Sequence, residues 1–241
     1  MEYAYQHDGV GFEQFAKVAE KNHQHSTLNP LAQYQKAFTL EEIMEARVIS
    51  YPNTLPMCCP TGDGAAAVVL VSEAKLRTLS MEQQKRAVKI GASILTSDPW
   101  SEGGNSQPDV NTLTRIAADQ AYEKAGVGPE DLDLVELHDC FATAELLHYD
   151  NLRLCEPGGA GEFIDKRGPW RDGTTPVNVS GGLLSKGHPI GMTGVAGVFE
   201  ITTQLRGEAG DRQIEGAKVG MAHVIGLGSS CGIHILEKAS L

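Results

Sequence analysis

At 241 residues, with 41% hydrophobic and 21% charged side chains, the chain is long enough for one sizeable core or two small ones and has the composition of a folded globular protein. A formal net charge of -11 disfavours tracking along nucleic acid or an anionic membrane surface, and the longest apolar run, Ala65 to Val71, falls far short of the roughly 20 residues of a membrane span. Five cysteines, an odd number with Cys58 and Cys59 adjacent, suit neither a disulfide framework nor spaced zinc ligands and point to free thiols in a reducing compartment.

The first twelve residues have neither a basic n-region nor an apolar h-region, so a cytoplasmic location is expected. Phe12, Phe15, Val18 and Ala19 repeat at helical spacing, residues 21–30 read as a loop by their Asn, Ser and Pro content, and Thr39 to Glu42 looks like a capped helix start. This opening stretch is expected to bury little by itself. From Gly62 a run of small and β-branched residues reads as a buried strand, followed by a second strand at Val88 to Leu95.

Residues 96–111 have loop composition, and Thr112 to Ala125 shows helical periodicity ended by Gly126 and Pro129. Next come a strand (Leu134 to Leu137), a helix (Ala142 to Leu154) and a glycine-rich excursion (Glu156 to Asp172). The last third reads as a strand (Thr175 to Val179), a glycine-rich turn, a helix (Gly191 to Leu205) and two apolar strands at Val219 to Leu227 and Gly232 to Leu236. Alternating strands and helices predict an α/β layered fold.

Three segments place chemistry at expected strand ends. The first is Glu136-Leu137-His138-Asp139-Cys140-Phe141, where a strand hands over to a helix beside a cleft at the sheet edge. The second runs from Asn178 through Ser180-Gly181-Gly182 to Gly187-His188-Pro189-Ile190-Gly191-Met192-Thr193-Gly194, whose glycines allow a backbone to approach a ligand closely. The third is Gly226-Leu227-Gly228 between the last two strands. Either histidine block alone is compatible with an ordinary turn or core residue; their conjunction and order carry the signal. The remaining histidines lack metal-ligand spacing, and no Walker or dinucleotide-binding glycine pattern follows a strand, so no metal or nucleotide cofactor is expected.

The block from Asn178 to Gly194 resembles the C-terminal signature of thiolases, and His138-Asp139-Cys140-Phe141 resembles the variant found in thiolases of the sterol-carrier-protein type. Lys21-Asn22-His23, Asn29-Pro30 and the stretch from Cys58-Cys59-Pro60 to Ala66 are similar to the same subfamily, so the resemblance covers nearly the whole chain. It implies a thiolase-like layered fold in which residues 62–241 form the C-terminal domain, with a mixed five-stranded sheet flanked by helices. Residues 1–61 would be a remnant of the region joining two halves, the N-terminal half and its acyl-accepting cysteine being absent from the sequence.

The resemblance also implies roles. His188 would activate the nucleophilic cysteine, a task suited to an imidazole titrating near neutrality. His138 would donate to the enolate oxygen of acetyl-CoA. Cys140 would move the proton at the acetyl α-carbon, with a pKa lowered by the neighbouring imidazoles, and Asp139 would be structural. Asn178, Gly182, Gly187, Gly226 and Gly228 would line the substrate and CoA site. Gly226 occupies the place where other thiolases carry a second catalytic cysteine, which leaves Cys231 in the following strand and favours Cys140 as the acid/base. The implied reaction is cleavage of a 3-oxoacyl-CoA by CoA, which is a co-substrate, with no permanently bound cofactor. A homodimer or tetramer is implied for the complete protein, with a small acyl-CoA-binding protein as a possible partner. A retro-aldol lyase of steroid side-chain degradation and a non-catalytic acyl-CoA or lipid-binding subunit are the alternative readings.

Overall fold

The structure is a computed structural model that describes residues 6–7, 9–97, 110–226 and 230–239. Helix α1 (Phe12–Ser26) sends Phe15, Ala16, Val18 and Ala19 into the main core, and Lys21, Asn22, His23, His25 and Ser26 are buried as well. Two expectations are corrected here: Lys21 to Ser26 are helical, and the opening stretch is part of the core. Lys21, Asn22, His23 and His25 each reach a partner on another element, and such tertiary pairing overrides the loop tendency of Asn. Helix α2 (Leu40–Glu45) starts as the sequence predicts, with Thr39 Oγ1 accepting from the Glu42 N–H at 3.1 Å while Glu42 Oε2 accepts from the Thr39 N–H at 2.8 Å. Strands β1 (Val48–Ser50) and β2 (Asn53–Thr54) then form a small hairpin.

The run after Gly62 departs from expectation. Residues 62–72 form no strand, and among the described residues no strand pairs with them. Val69 and Leu70 are 89% and 70% exposed. Apolar content alone does not make a strand, because the main chain also needs a neighbour to take its hydrogen bonds. Two short exposed helices follow, α3 (Glu73–Leu76) and α4 (Met81–Lys85), begun by Ser72 and Ser80, whose hydroxyls accept from Lys75 and Gln83 N–H groups.

The remaining elements are β3 (Val88–Ser97), α5 (Val110–Ala125), β4 (Leu134–Glu136), α6 (Ala142–Asn151), α7 (Ala160–Asp165), α8 (Gly182–Lys186), α9 (Thr193–Arg206), β5 (Val219–Gly226) and β6 (Ser230–Lys238). Helix α7 lies inside the excursion read as irregular from its glycines. The sheet order is β3-β6-β5-β4, with β4 parallel to β5 and the other pairs antiparallel. It is therefore a mixed sheet of four strands, and the expected fifth strand at Thr175 to Val179 is reduced to one parallel bridge between Val177 and Val135. Pro176 has no N–H to give to a ladder, and Asn178, at φ +55°, turns the chain away immediately afterwards.

Helices cover both faces. On one side Leu113, Ala117, Ala118 and Ala121 of α5 pack with Met221, Ile233 and Ile235 of the sheet, and α6 and α1 extend that core. On the other side Ile201 and Leu205 of α9 pack with Leu134, Ala222 and Leu236. Gly220 permits this second contact: a Cβ there would lie 2.7 Å from Ile201 Cγ2. The layering brings the C-terminal ends of the parallel pair β4 and β5 together, the edge at which open α/β sheets take ligands.

Candidate active site

Strand β4 ends at Glu136, and Leu137 to Phe141 lead directly into α6, placing His138, Asp139 and Cys140 at the sheet edge. Asp139 is fully buried and holds the glycine-rich segment in place. Its carboxylate accepts from the N–H groups of Leu183 at 2.7 Å and Leu184 at 3.3 Å, and from Asn22 Nδ2 at 2.8 Å. Gly182, at φ +60°, has to be glycine: a Cβ would fall 2.1 Å from Asp139 Oδ2. Burial, and then Glu145, push the Asp139 carboxyl well above the usual range, against the pull of the two amides.

Glu136 braces the same segment from the strand side. Ser180 donates to it through its N–H at 3.0 Å and its hydroxyl at 2.5 Å, and Lys186 approaches at 3.4 Å. Behind both carboxylates lies a buried polar network centred on Glu145, which takes Lys21 Nζ at 2.8 Å, Asn22 Nδ2 at 2.6 Å, Tyr149 Oη at 2.6 Å and Asn178 Nδ2 at 2.9 Å. Lys21 uses its other two donors on Asn22 Oδ1 at 2.6 Å and the Val177 carbonyl at 2.7 Å, so its buried charge is fully engaged. The sequence showed Lys21, Asn22 and Glu136 only as residues inside or beside motifs; nothing in their spacing gave them a role.

His188 and His138 meet edge to face, with ring centroids 5.0 Å apart. The His188 tautomer follows from its neighbours. The Thr193 hydroxyl donates to the Pro189 carbonyl at 3.0 Å, so its oxygen must accept from His188 Nδ1–H at 2.7 Å. Nε2 of His188 is left with its lone pair. Burial, then Lys186, lower the His188 pKa, which keeps the ring neutral and basic at Nε2. Burial, then His188, lower the His138 pKa to about 4, so this ring too is neutral near pH 7.

Cys140 follows His138 by two residues in the same segment. The Cys59 N–H donates to the Cys140 carbonyl at 3.1 Å, tying the two segments together, and Cys58 bridges Phe141. The expectation of a lowered thiol pKa is corrected: burial, then Asp139 and Cys59, push Cys140 up to about 12. Neutral imidazoles give no cationic help, while a neighbouring carboxylate opposes the thiolate. The other cysteines follow suit, with Cys58 raised, Cys59 at about 11, and Cys155 and Cys231 at about 12, in each case through burial first. None of the five is activated as a nucleophile. Cys231 sits fully buried in β6, in the hydrophobic core.

The positions expected to line the site divide into groups. Gly187, at φ +110°, precedes His188 directly and sets its direction. Asn178 is fully buried: its Oδ1 accepts from the Leu137 N–H at 2.9 Å, so it supports the wall and not its surface. Gly182 is likewise buried beneath Asp139. Gly226 closes β5 opposite Ser230, and Gly228 lies outside the described residues. Next to His188, residues 189–192 and 62–66 enclose an open depression of about 340 Å³. Its lining begins at Pro189, the residue after His188, and includes neither of the paired histidines.

The description Thiolase C-terminal domain-like matches residues 102–238. The chain belongs to the thiolase C-terminal domain family. It is 44% identical over 232 residues to sterol carrier protein 2 of Oryctolagus cuniculus, an alignment spanning 95% of this chain and 42% of that protein. It is also 39% identical over 236 residues to an acetyl-CoA acetyltransferase of Methanothermobacter thermautotrophicus, spanning 95% of this chain and 59% of the relative. Among solved structures, the Ltp2-ChsH2(DUF35) aldolase superposes with a TM-score of 0.81 over all of this chain and 62% of the other, at 23% identity. The chain thus spans roughly half the length of the curated proteins it resembles, and the structural likeness speaks for the fold.

Proposed function

We propose that this chain carries the acid/base half of a thiolase-type acyl transfer, in which CoA cleaves a 3-oxoacyl-CoA to acetyl-CoA, or propionyl-CoA, and a shortened acyl-CoA. The observation that carries the reading is the pairing of His138 and His188 at 5.0 Å, with the His188 lone pair fixed at Nε2 by Thr193. Similarity to an acetyl-CoA acetyltransferase supports the reaction class.

His188 Nε2 accepts the proton of the acyl-accepting thiol, a role to which none of the five cysteines here is suited, since burial raises the pKa of each. That thiolate adds to the 3-oxo carbon, the bond between the α and β carbons breaks, and its electron pair goes to the acetyl-CoA enolate. A neutral His138 N–H stabilises the enolate oxygen. Cys140, holding its proton up to a pKa of about 12, donates it to the α-carbon, and its thiolate then recovers a proton from the incoming CoA thiol; the CoA thiolate attacks the acyl thioester, and the expelled enzyme thiolate takes back the proton held on His188. The condensation direction uses the same groups in reverse.

The test compares the protein purified from its source with its His188→Ala and Cys140→Ala variants, following 3-oxoacyl-CoA consumption and, separately, acyl-CoA binding by calorimetry. A loss of turnover of about 10²–10⁴-fold with binding retained is expected. Unchanged turnover in both variants would overturn the assignment, and binding without any turnover in the wild type would favour an acyl-CoA-binding role.

A further inference from the structure

Beneath His138 lie two more imidazoles that the reaction does not use. His223 on β5 and His148 on α6 are both buried, with ring centroids 4.5 Å apart. The main-chain N–H of His138 donates to His223 Nδ1 at 3.3 Å. That nitrogen is therefore unprotonated, and the neutral His223 ring carries its hydrogen on Nε2. Among the described residues two ring nitrogens in this cluster are sealed from solvent with no hydrogen-bond partner: His223 Nε2 and His138 Nδ1. By the argument above, the first is a donor.

We propose that His223 is a positioning residue for His138, fixing its main chain and selecting the tautomer in which Nδ1 is bare and Nε2–H faces the cleft. A buried N–H on His223 and a second buried N–H on His138 Nδ1 would leave two unmatched donors of like polarity in one enclosed cluster, an arrangement costlier than one unmatched donor and one bare lone pair. His148 packs edge-on against His223, and Asn151 Nδ2 lies 3.5 Å from His148 Nδ1, so that ring too keeps Nδ1 as an acceptor. His148 and His223 thus meet edge to face, and His223 meets the main chain of His138, with Nδ1 the accepting nitrogen on both His148 and His223. His138 then presents the N–H that the proposed chemistry requires. Sequence spacing could not show this, since 85 residues separate His138 from His223 and only the parallel pairing of β4 with β5 joins them.

The inference rests on His138 being the oxyanion donor only for its purpose. Its test reads the tautomer directly and needs no turnover. Two-bond ¹⁵N–¹H correlation spectra of the 241-residue chain, with His138 assigned by His138→Gln, should show His138 as the Nε2–H tautomer near pH 7. In His223→Phe the His138 signals should shift to a mixture or to the Nδ1–H form, and His223→Gln, which can still accept and donate, should restore the wild-type pattern. Circular dichroism checks that each variant is folded; if His223→Phe is not, the wild-type spectrum and His223→Gln decide. A wild-type His138 in the Nδ1–H form, or an unchanged tautomer in folded His223→Phe, would overturn the proposal. Either result leaves the activity assay free to succeed or fail independently.

Discussion

Two segments of this chain contradict their composition in opposite directions. Helix α1 is rich in Lys, His and Gln, yet Lys21, Asn22, His23, His25 and Ser26 are buried behind the site. Residues 65–71 are entirely Ala, Val and Leu, yet Val69 is 89% exposed. The difference lies in partners. Lys21 and Asn22 meet Glu145, Asp139 and the Val177 carbonyl, so burial leaves none of their groups unpaired. Residues 65–71 have no neighbouring strand among the described residues, so their main chain has no ladder to join. Hydrophobicity states which segments favour burial, whereas complementary partners determine which ones achieve it.

The largest effect is expected on the buried side. Lys21→Met removes the cation from a pair in which both side chains are fully buried and leaves Glu145 with an uncompensated charge. Breaking such a pair costs about 3–5 kcal/mol, or a fall in Tm on the order of 10 °C for a chain of this size. Thermal or urea unfolding checks it, and the double variant Lys21→Met with Glu145→Gln, which removes the lone charge and keeps an acceptor oxygen for the buried donors, should recover part of the loss. A Tm within about 1 °C of wild type for Lys21→Met alone would show that α1 is peripheral after all.

Legibility followed the same division. Strands β3, β5 and β6 and helices α5, α6 and α9 were readable because their apolar periodicity coincides with real partners in one sheet and its covering layers. The His138 and His188 blocks were readable as motifs, and their convergence followed from both standing at the C-terminal edge of the sheet. Contacts of long sequence separation were not readable: Asp139 with Leu183, Glu136 with Ser180, His138 with His223. A carboxylate that supports a distant turn has the same one-letter code as a solvated one. The fifth strand failed for a local reason, Pro176, which could have been noticed from the sequence alone.

A smaller effect comes from the titratable groups of the buried side, since residues 65–71 carry none. Burial, then His138, lower the His148 pKa from 6.5 to about 3. Between those values the unfolded chain binds a proton that the folded one refuses, so this imidazole makes stability fall as pH drops below 6.5, by up to about 1.4 kcal/mol per unit. Asp139 and Glu136, whose pKa values are raised by burial, act in the opposite sense, so wild-type stability alone would mix the two. The difference between wild type and His148→Gln isolates the imidazole. Unfolding free energies measured from about pH 6 down to about pH 4 should fall less steeply in the variant; parallel curves would mean that His148 is not kept neutral by its surroundings.

The smallest effect belongs to the exposed run, and it sharpens the comparison most. If residues 65–71 are unpaired in the isolated chain, Val69→Thr removes no buried surface and should change the unfolding free energy by no more than about 0.5 kcal/mol. The same exchange at Ile235, fully buried in β6, deletes core contacts and leaves a hydroxyl in an apolar site, which costs several times as much, on the order of 2–4 kcal/mol. Hydrogen exchange separates the two segments without mutation: amides of Met221 and His223, in the centre of the sheet, should be protected by many orders of magnitude relative to Val69 and Leu70. Strong protection at Val69, or a Val69→Thr cost matching that of Ile235→Thr, would mean that the run has found a partner strand in solution, from a second copy of the chain. A concentration dependence of that protection would then identify the association, since an exposed apolar segment with free main-chain groups is a template for pairing.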